Sequence, residues 1–230
     1  MKILALETSA KAVSAALAEN GRILAYGYQD TGLTHSRTLM PIVEHILKNT
    51  ELTMQDVDAV AAAAGPGSFT GIRIGVSAAK GLAVGADKPA IAVSTLSAMA
   101  RNLTLWEGLI VCAMDARRSQ IYNALFRCEG GVLTRLTLDR AVGLEDLSQE
   151  LRQERSPIAV VGDGGAMTAE FLCRADIPCR LAPPQLVMQS AASVALEAEA
   201  LAQAGHLLRP QELLPVYLRP PQAERLRRQS

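Results

Sequence analysis

The order of elements implied by the sequence restarts half-way along the chain, and this restart limits the fold more than any single motif does. Residues 2–8 form a continuous apolar run, and residues 13–18 follow a Ser/Lys break. Asn20-Gly21 is a two-residue hairpin turn leading into residues 22–28. From 35 to 49 the period becomes helical, with Leu39, Ile42, Val43, Ile46 and Leu47 on one face, Met40 beside it, and Pro41 near the start. Residues 57–64 read as a buried strand, 70–85 as a helix, 90–93 as a strand and 95–102 as a short helix. The series then returns. Strand 109–114 runs into Asp115, and strands 120–127 and 132–138 flank Gly130-Gly131. Helix 144–153 follows, then strand 158–161 and the loop Gly162-Asp163-Gly164-Gly165. Two β-β-β-α-β-α units define an α/β protein built by duplication, with units at 1–103 and 104–218. Residues 188–204 read as a long helix able to pack back on the first unit. Residues 213–218 read as an edge strand or an extended arm, and 219–230 as a basic tail.

Composition narrows the class of function. Of 230 residues, 49% are hydrophobic and 20% charged, enough for a large core and too apolar for disorder. Lys+Arg and Asp+Glu both number 23, so no global basic excess points to an autonomous grip on nucleic acid. Aromatics at 3% argue against a base-stacking platform. The tail carries Arg219, Arg225, Arg227 and Arg228 against Glu224, and such a tail is ordinarily solvated. Cys112, Cys128, Cys173 and Cys179 form no CxxC pair, which leaves no zinc framework. The first apolar run stops at Glu7, and no run nears the ~20 residues of a membrane span. The expectation is a cytoplasmic chain with free thiols and no membrane contact.

The segment Gly65-Pro66-Gly67-Ser68-Phe69-Thr70-Gly71-Ile72-Arg73 follows a strand and opens a helix. Its glycines can present backbone N–H groups to an anion at the positive end of a helix dipole, or merely shape a tight turn. No Gly-Lys-Ser/Thr follows, so it is not a Walker loop. Ser68 or Thr70 can cap the helix. Glu7-Thr8-Ser9 and Asp115 stand at equivalent strand ends, where two carboxylates could face each other across a cleft and hold a metal–phosphate or act as a base. Alternatively, each caps a turn or pairs with Arg117 or Arg118. The candidate nucleotide or phosphate site is thus Glu7, Thr8, Ser9, Gly65, Gly67, Ser68, Thr70, Gly71, Asp115, Gly162 and Gly164. His35, His45 and His206 have no chelating spacing, since the residue four after His35 is Leu39. Gly67-Ser68-Phe69-Thr70-Gly71 is one residue too long for a nucleophile elbow, so no catalytic or metal residue is assigned.

These residues carry a resemblance. The opening from Ile3 to Ser9, the Gly65–Gly75 segment, Val93-Ser94-Thr95-Leu96, Asp115-Ala116-Arg117 and Pro215-Val216-Tyr217-Leu218-Arg219 resemble the bacterial TsaB (YeaZ) family. The resemblance implies an actin/hexokinase/Hsp70-like (ASKHA) fold and a role in making threonylcarbamoyladenosine at position 37 of tRNA. It implies a non-catalytic subunit that scaffolds and activates a metal-bearing paralogue, TsaD, together with the ATPase TsaE, touching tRNA only indirectly. His35 matches the first histidine of that paralogue's His-x-x-x-His helix, and Leu39 stands where the second would be. The first two helices are implied to bundle with TsaD, or with a second copy when the chain is alone. The residues expected there are Leu39, Met40, Val43, Ile46, Leu47, Ile72, Gly75, Val76 and Ala79, so Gly75→Leu or Ala79→Arg is expected to break association and spare the fold. No cofactor is required, although the cleft could take ATP or ADP. The competing reading is an ATP-dependent phosphotransferase or ATPase acting through Glu7 and Asp115. A third reading, a peptidase, is argued against by the missing metal pair and Ser/His arrangement.

Overall fold

The computed structural model describes residues 1–117 and 119–219. The first half forms a five-stranded sheet in the order β3-β2-β1-β4-β5, from β1 (Lys2–Glu7), β2 (Val13–Glu19), β3 (Arg22–Gln29), β4 (Ala59–Gly65) and β5 (Ala90–Ser94). Antiparallel hairpins join β1, β2 and β3, whereas β4 and β5 run parallel to β1. Parallel neighbours need crossover helices, supplied by α1 (His35–Asn49) and α2 (Phe69–Ala86). After α3 (Thr95–Ala100), the second half repeats the plan as β11-β10-β6-β7-β8. Its elements are β6 (Gly108–Asp115), β7 (Gln120–Glu129), β8 (Val132–Arg135), β9 (Arg140–Gly143), α4 (Leu144–Leu151), β10 (Ile158–Val161), α5 (Gly165–Arg174) and β11 (Arg180–Leu181). Two helices follow, α6 (Pro184–Val187) and α7 (Ala191–Gln203).

The inner strands β1, β4, β6 and β10 are apolar at nearly every position because both faces of each sheet are covered there. In β1, Leu4 and Leu6 face α1 and α2, while Ile3 and Ala5 face α7. In β4, Val60, Ala62 and Ala64 alternate in the same way with Ala59, Ala61 and Ala63. The alanines meet Ala191, Val194, Ala195 and Ala198 of α7, and small residues on both sides let that helix lie close to the sheet. The second sheet packs Ile110, Cys112 and Met114 on Leu96 and Met99 of α3, and Leu109, Val111 and Ala113 on α4 and α5. The layers therefore run α1/α2, first sheet, α3/α7, second sheet, α4/α5.

Three elements differ from the sequence reading. The strand expected over 132–138 stops at Arg135, whose guanidinium pairs with Asp139 at 2.6 Å and loops the intervening residues out. The chain returns as β9 on the other end of the ten-residue β7, which is long enough to carry two short partners. The loop expected at 162–165 instead opens α5, which buries Thr168 and Leu172. The helix expected over 188–204 begins at Ala191, where the Ser190 hydroxyl accepts the Ala192 N–H at 3.2 Å, and α6 precedes it as a separate turn. Residues 213–218 form an extended arm. Leu213 is buried in the first core, and the Val216 N–H donates to the Ala64 carbonyl at 2.7 Å.

Candidate functional site in the cleft between the halves

The first strands of the two halves end in the same local turn. Glu7 Oε1 accepts the Ser9 N–H at 2.5 Å, and Asp115 Oδ1 accepts the Arg117 N–H at 2.7 Å. Their surroundings differ. Glu7 is 1% exposed, and burial pushes its carboxyl up to about 7; hydrogen bonds from Ser9 pull against that rise and the charge of Asp163 adds to it. Asp115 is exposed. Asp163, after β10, is also raised by burial, although Gln189 Nε2 donates to its Oδ1 at 2.9 Å.

The glycine-rich segment presses its helix onto the end of β1. The Ser68 N–H donates to the Ser9 carbonyl at 2.7 Å, the Thr8 hydroxyl donates to the Gly71 carbonyl at 2.7 Å, and the Ser68 hydroxyl caps the Gly71 N–H at 3.3 Å. A Cβ at Gly71 would overlap the Thr8 carbonyl oxygen, and one at Gly75 the Thr8 hydroxyl. The second half uses the same device. Gly162 adopts a φ of +116°, and a Cβ at Gly164 would lie 2.8 Å from the Asp115 nitrogen.

Between the halves lies a cavity of about 460 Å³. Ser9, Ala10 and Lys11 line it from the β1–β2 turn and Pro66 to Thr70 from the head of α2; Met114 to Arg117, Tyr122 and Asp163 line it from the second half. The arm closes it with Val216, Tyr217, Leu218 and Arg219. Tyr217 stacks on Phe69 at 4.8 Å between ring centroids, and Arg73 lies over the Phe69 ring at 3.9 Å while donating to the Tyr217 hydroxyl at 2.8 Å. Arg219 then donates to the Ala116 carbonyl of the second half at 3.2 Å.

Of the expected phosphate-site residues, Ser9, Gly67, Ser68, Thr70 and Asp115 line the cavity; Glu7, Thr8, Gly65, Gly71, Gly162 and Gly164 do not. The glycines are taken up by backbone packing. Glu7 is sealed beneath the turn, so the expected facing pair of carboxylates is not formed, and the ATPase reading through Glu7 and Asp115 loses its metal–phosphate grip. Lys11 and Asp163 reach the cavity and were missed, although Lys11 follows Ser9 by two positions and Asp163 sits in the second glycine loop. His35 Nε2 lies 2.8 Å from the Ala10 carbonyl, tying α1 to the β1–β2 turn. Among the described residues, no histidine or cysteine lines the cavity. Arg118, Arg225, Arg227 and Arg228 lie outside the described residues.

The expected partner face also needs correction. Leu39, Val43, Ile46, Ile72, Val76 and Ala79 are at most 3% exposed and face the chain's own sheet, as does Gly75 against Thr8. Gly75→Leu and Ala79→Arg would therefore damage the core before any interface. Only Met40 and Leu47 remain half-buried, and Ile74, Ala78 and Leu82 of α2 share that state. A Cβ at Gly81 or Gly85 meets no atom within 4 Å among the described residues, so neither glycine is required there by a close approach.

Two sheets of identical strand order around a cleft, each with helices on both faces, make this a two-lobed α/β protein of the actin/hexokinase/Hsp70-like fold. A solved structure titled YeaZ from Pseudomonas aeruginosa superposes with a TM-score of 0.80 at 27% identity, covering 94% of this chain and 99% of that one. The ethanolamine utilization protein EutJ from Carboxydothermus hydrogenoformans shares the fold at a TM-score of 0.51 and 14% identity, over 86% of this chain and 90% of that one. Residues 29–208 match the family described as TsaD, tRNA N6-adenosine threonylcarbamoyltransferase. The tRNA threonylcarbamoyladenosine biosynthesis protein TsaB of Bacillus subtilis is 36% identical over 172 residues, 75% of each chain. The chain belongs to the TsaB (YeaZ) family. No described helix is long and apolar enough to cross a membrane.

Proposed function

We propose that the chain is a non-catalytic subunit for forming threonylcarbamoyladenosine at position 37 of tRNA in the cytoplasm. In this reading it scaffolds and activates the metal-bearing paralogue TsaD, works together with TsaE, pairs with itself when TsaD is absent, and meets tRNA only through the assembly. The observation that carries the reading is the outer face of α1 and α2. Glycine inside a helix costs about 1 kcal/mol relative to alanine. At Gly71 that cost is offset by the close approach to Thr8, but Gly81 and Gly85 have no such contact among the described residues. They lie on a helix whose Ile74, Ala78 and Leu82, with Met40 and Leu47 of α1, remain half-buried. A smooth apolar strip of this kind suits close packing against another pair of helices. The cleft supports the same reading from the other side, because its carboxylate at β1 is sealed from the cavity.

Light scattering after size exclusion, on the chain alone and mixed with purified TsaD from the same source, tests this. A homodimer that converts to a mixed complex is expected. Gly81→Arg, whose Cβ meets no described atom within 4 Å, is expected to abolish both species while leaving a folded monomer by far-UV circular dichroism, its melting temperature falling only by the stabilisation that association supplied. A monomer indifferent to TsaD, or a Gly81→Arg variant that associates like wild type, overturns the proposal.

A further inference from the structure

Two of the four cysteines are placed together, away from the cleft and from the α1/α2 face. Cys173 is on the last turn of α5 and Cys179 just precedes β11, with their sulfurs 4.0 Å apart. The turn between them is fixed. The Ala175 N–H donates to the Phe171 and Leu172 carbonyls at 3.1 and 3.0 Å, Asp176 N–H to Cys173 at 3.2 Å, and Ile177 N–H to Leu172 at 2.9 Å. Ile177 is itself buried against the helix. The backbone therefore presents the two thiols to each other before any bond forms, which raises the effective concentration of one at the other. Cys173 is exposed, and Cys179 is half-buried with its thiol directed to the Ala169 carbonyl at 3.7 Å. Cys112 and Cys128, in contrast, are buried in the second core.

We propose that Cys173 and Cys179 form a reversible dithiol/disulfide site, oxidised by a low-molecular-weight disulfide such as glutathione disulfide. The exposed Cys173 thiolate attacks one sulfur of the incoming disulfide, forming a mixed disulfide and releasing one thiol. Cys179 then gives up its proton and attacks the Cys173 sulfur, releasing the second thiol. In sum, two protein thiols lose two electrons and two protons, and one external disulfide becomes two thiols. The second step is the slow one. Burial holds the Cys179 thiol above the ordinary range, to about 11 while the free Cys173 thiol lies beside it, so little of it is thiolate at neutral pH. The bond would clamp the end of α5 to the start of β11. At its other end α5 begins two residues after Asp163 in the cavity wall, so the clamp fixes an element that borders the cleft.

The test is mass spectrometry of the intact folded chain incubated with glutathione disulfide, followed by peptide mapping. Wild type is expected to lose two hydrogens, with the Cys173 and Cys179 peptides joined and Cys112 and Cys128 still alkylatable after unfolding. Raising the pH from 7 to 9 is expected to speed this conversion by about the hundredfold rise in Cys179 thiolate. Cys179→Ser is expected to stop at a single glutathione adduct on Cys173, and Cys173→Ser to remain unreacted over the same time. A wild-type chain that keeps four free thiols, or that accumulates the Cys173 adduct without closing, overturns the proposal. Circular dichroism of both variants separates loss of reaction from loss of fold.

Discussion

The two halves of the molecule end their first strands with a carboxylate that accepts the N–H two residues on, yet Glu7 is sealed and Asp115 opens on the cavity. Strand order is the same in both. What differs is what covers the acid. In the first half Glu7 stands opposite Ser14 in the β1–β2 ladder, and the Ser14 hydroxyl accepts the Ala191 N–H at the head of α7, so the layer between the sheets covers Glu7 while α2 lies on the other face of β1 against Thr8. In the second half the turn into α5 meets β6 closely at Gly162 and Gly164, and Asp115 remains exposed in the cavity wall. Duplicated topology thus repeats the turn and leaves the solvation of its acid to the layer that packs over it. A cleft that has buried one of its two equivalent carboxylates keeps the architecture of the fold without the facing acid pair, in keeping with the surface role proposed above.

The sharpest way to break this comparison is to lift α2 off β1. Gly71→Val places carbon onto the Thr8 backbone carbonyl, an atom that cannot swing away as a side-chain tip would. The expected cost is at least about 3 kcal/mol in urea unfolding, at the upper end for overpacking. A cost under about 1 kcal/mol would mean that α2 is not held against the Thr8 carbonyl at the end of β1.

Next in size is the titration of Glu7. Its folded pKa, about 7, lies above the ordinary carboxylate value of 4.5, so between those values the folded chain holds a proton that the unfolded chain has released. Stability therefore falls as pH rises from 4.5 to 7 and is level above, with a total of about 3 kcal/mol from this group. Asp163, also raised, adds to the fall in the same direction. Urea midpoints of Glu7→Gln should drop much less steeply over that range than those of wild type, and at pH 8 the variant should be the more stable. Equal slopes would place the buried proton elsewhere.

Two glycine substitutions compare the close approaches directly. Gly164→Ala brings a methyl to 2.8 Å from the Asp115 nitrogen, a milder overlap than at Gly71, and is expected to cost about 1–2 kcal/mol. Gly81→Ala meets nothing among the described residues and removes a helix-interior glycine, so the chain diluted to the monomer should gain about 0.5–1 kcal/mol. Thermal melts of the two variants beside wild type should move in opposite directions.

The same glycines mark where the sequence was legible and where it was not. The duplicated order was readable because buried parallel strands are continuous apolar runs and hairpins carry Asn-Gly or Gly-Gly turns. The inward face of α2 was not, since a helix of Gly, Ala and Val has too little contrast between faces to show which one packs. Gly75 and Ala79 are therefore read as outward from the sequence, while Gly81 and Gly85 count among the helix's small residues without being assigned to the partner face. The shortening of strand 132–138 depended on Arg135 pairing with Asp139, which composition does not signal. α5 was missed because it starts in a glycine loop and has no side-chain cap, although Met167/Phe171 and Thr168/Leu172 stand at i, i+4 spacing. In the cleft, the glycine segment and the two strand ends were identified. The sealing of Glu7 was not, because the burial comes from neighbours distant in sequence; Asp163, whose charge it feels, lies more than 150 positions further along.

The smallest expected effect is the most direct check on the asymmetry. Asp115→Asn keeps an oxygen to accept the Arg117 N–H, and the side chain stands in solvent at the mouth of the cavity. Its unfolding free energy should lie within about 0.5 kcal/mol of wild type, the usual range for a surface substitution that leaves its hydrogen bond intact. Unfolding in urea at a single pH, beside Glu7→Gln, measures the two positions on one scale. If Asp115→Asn costs several times that amount, the exposed acid is holding the second half together, and the two strand ends are equivalent in energy as well as in topology. If it costs nothing, the second half keeps an acid at the cleft for a reason other than folding, and the cavity rather than the core is where to look for that reason.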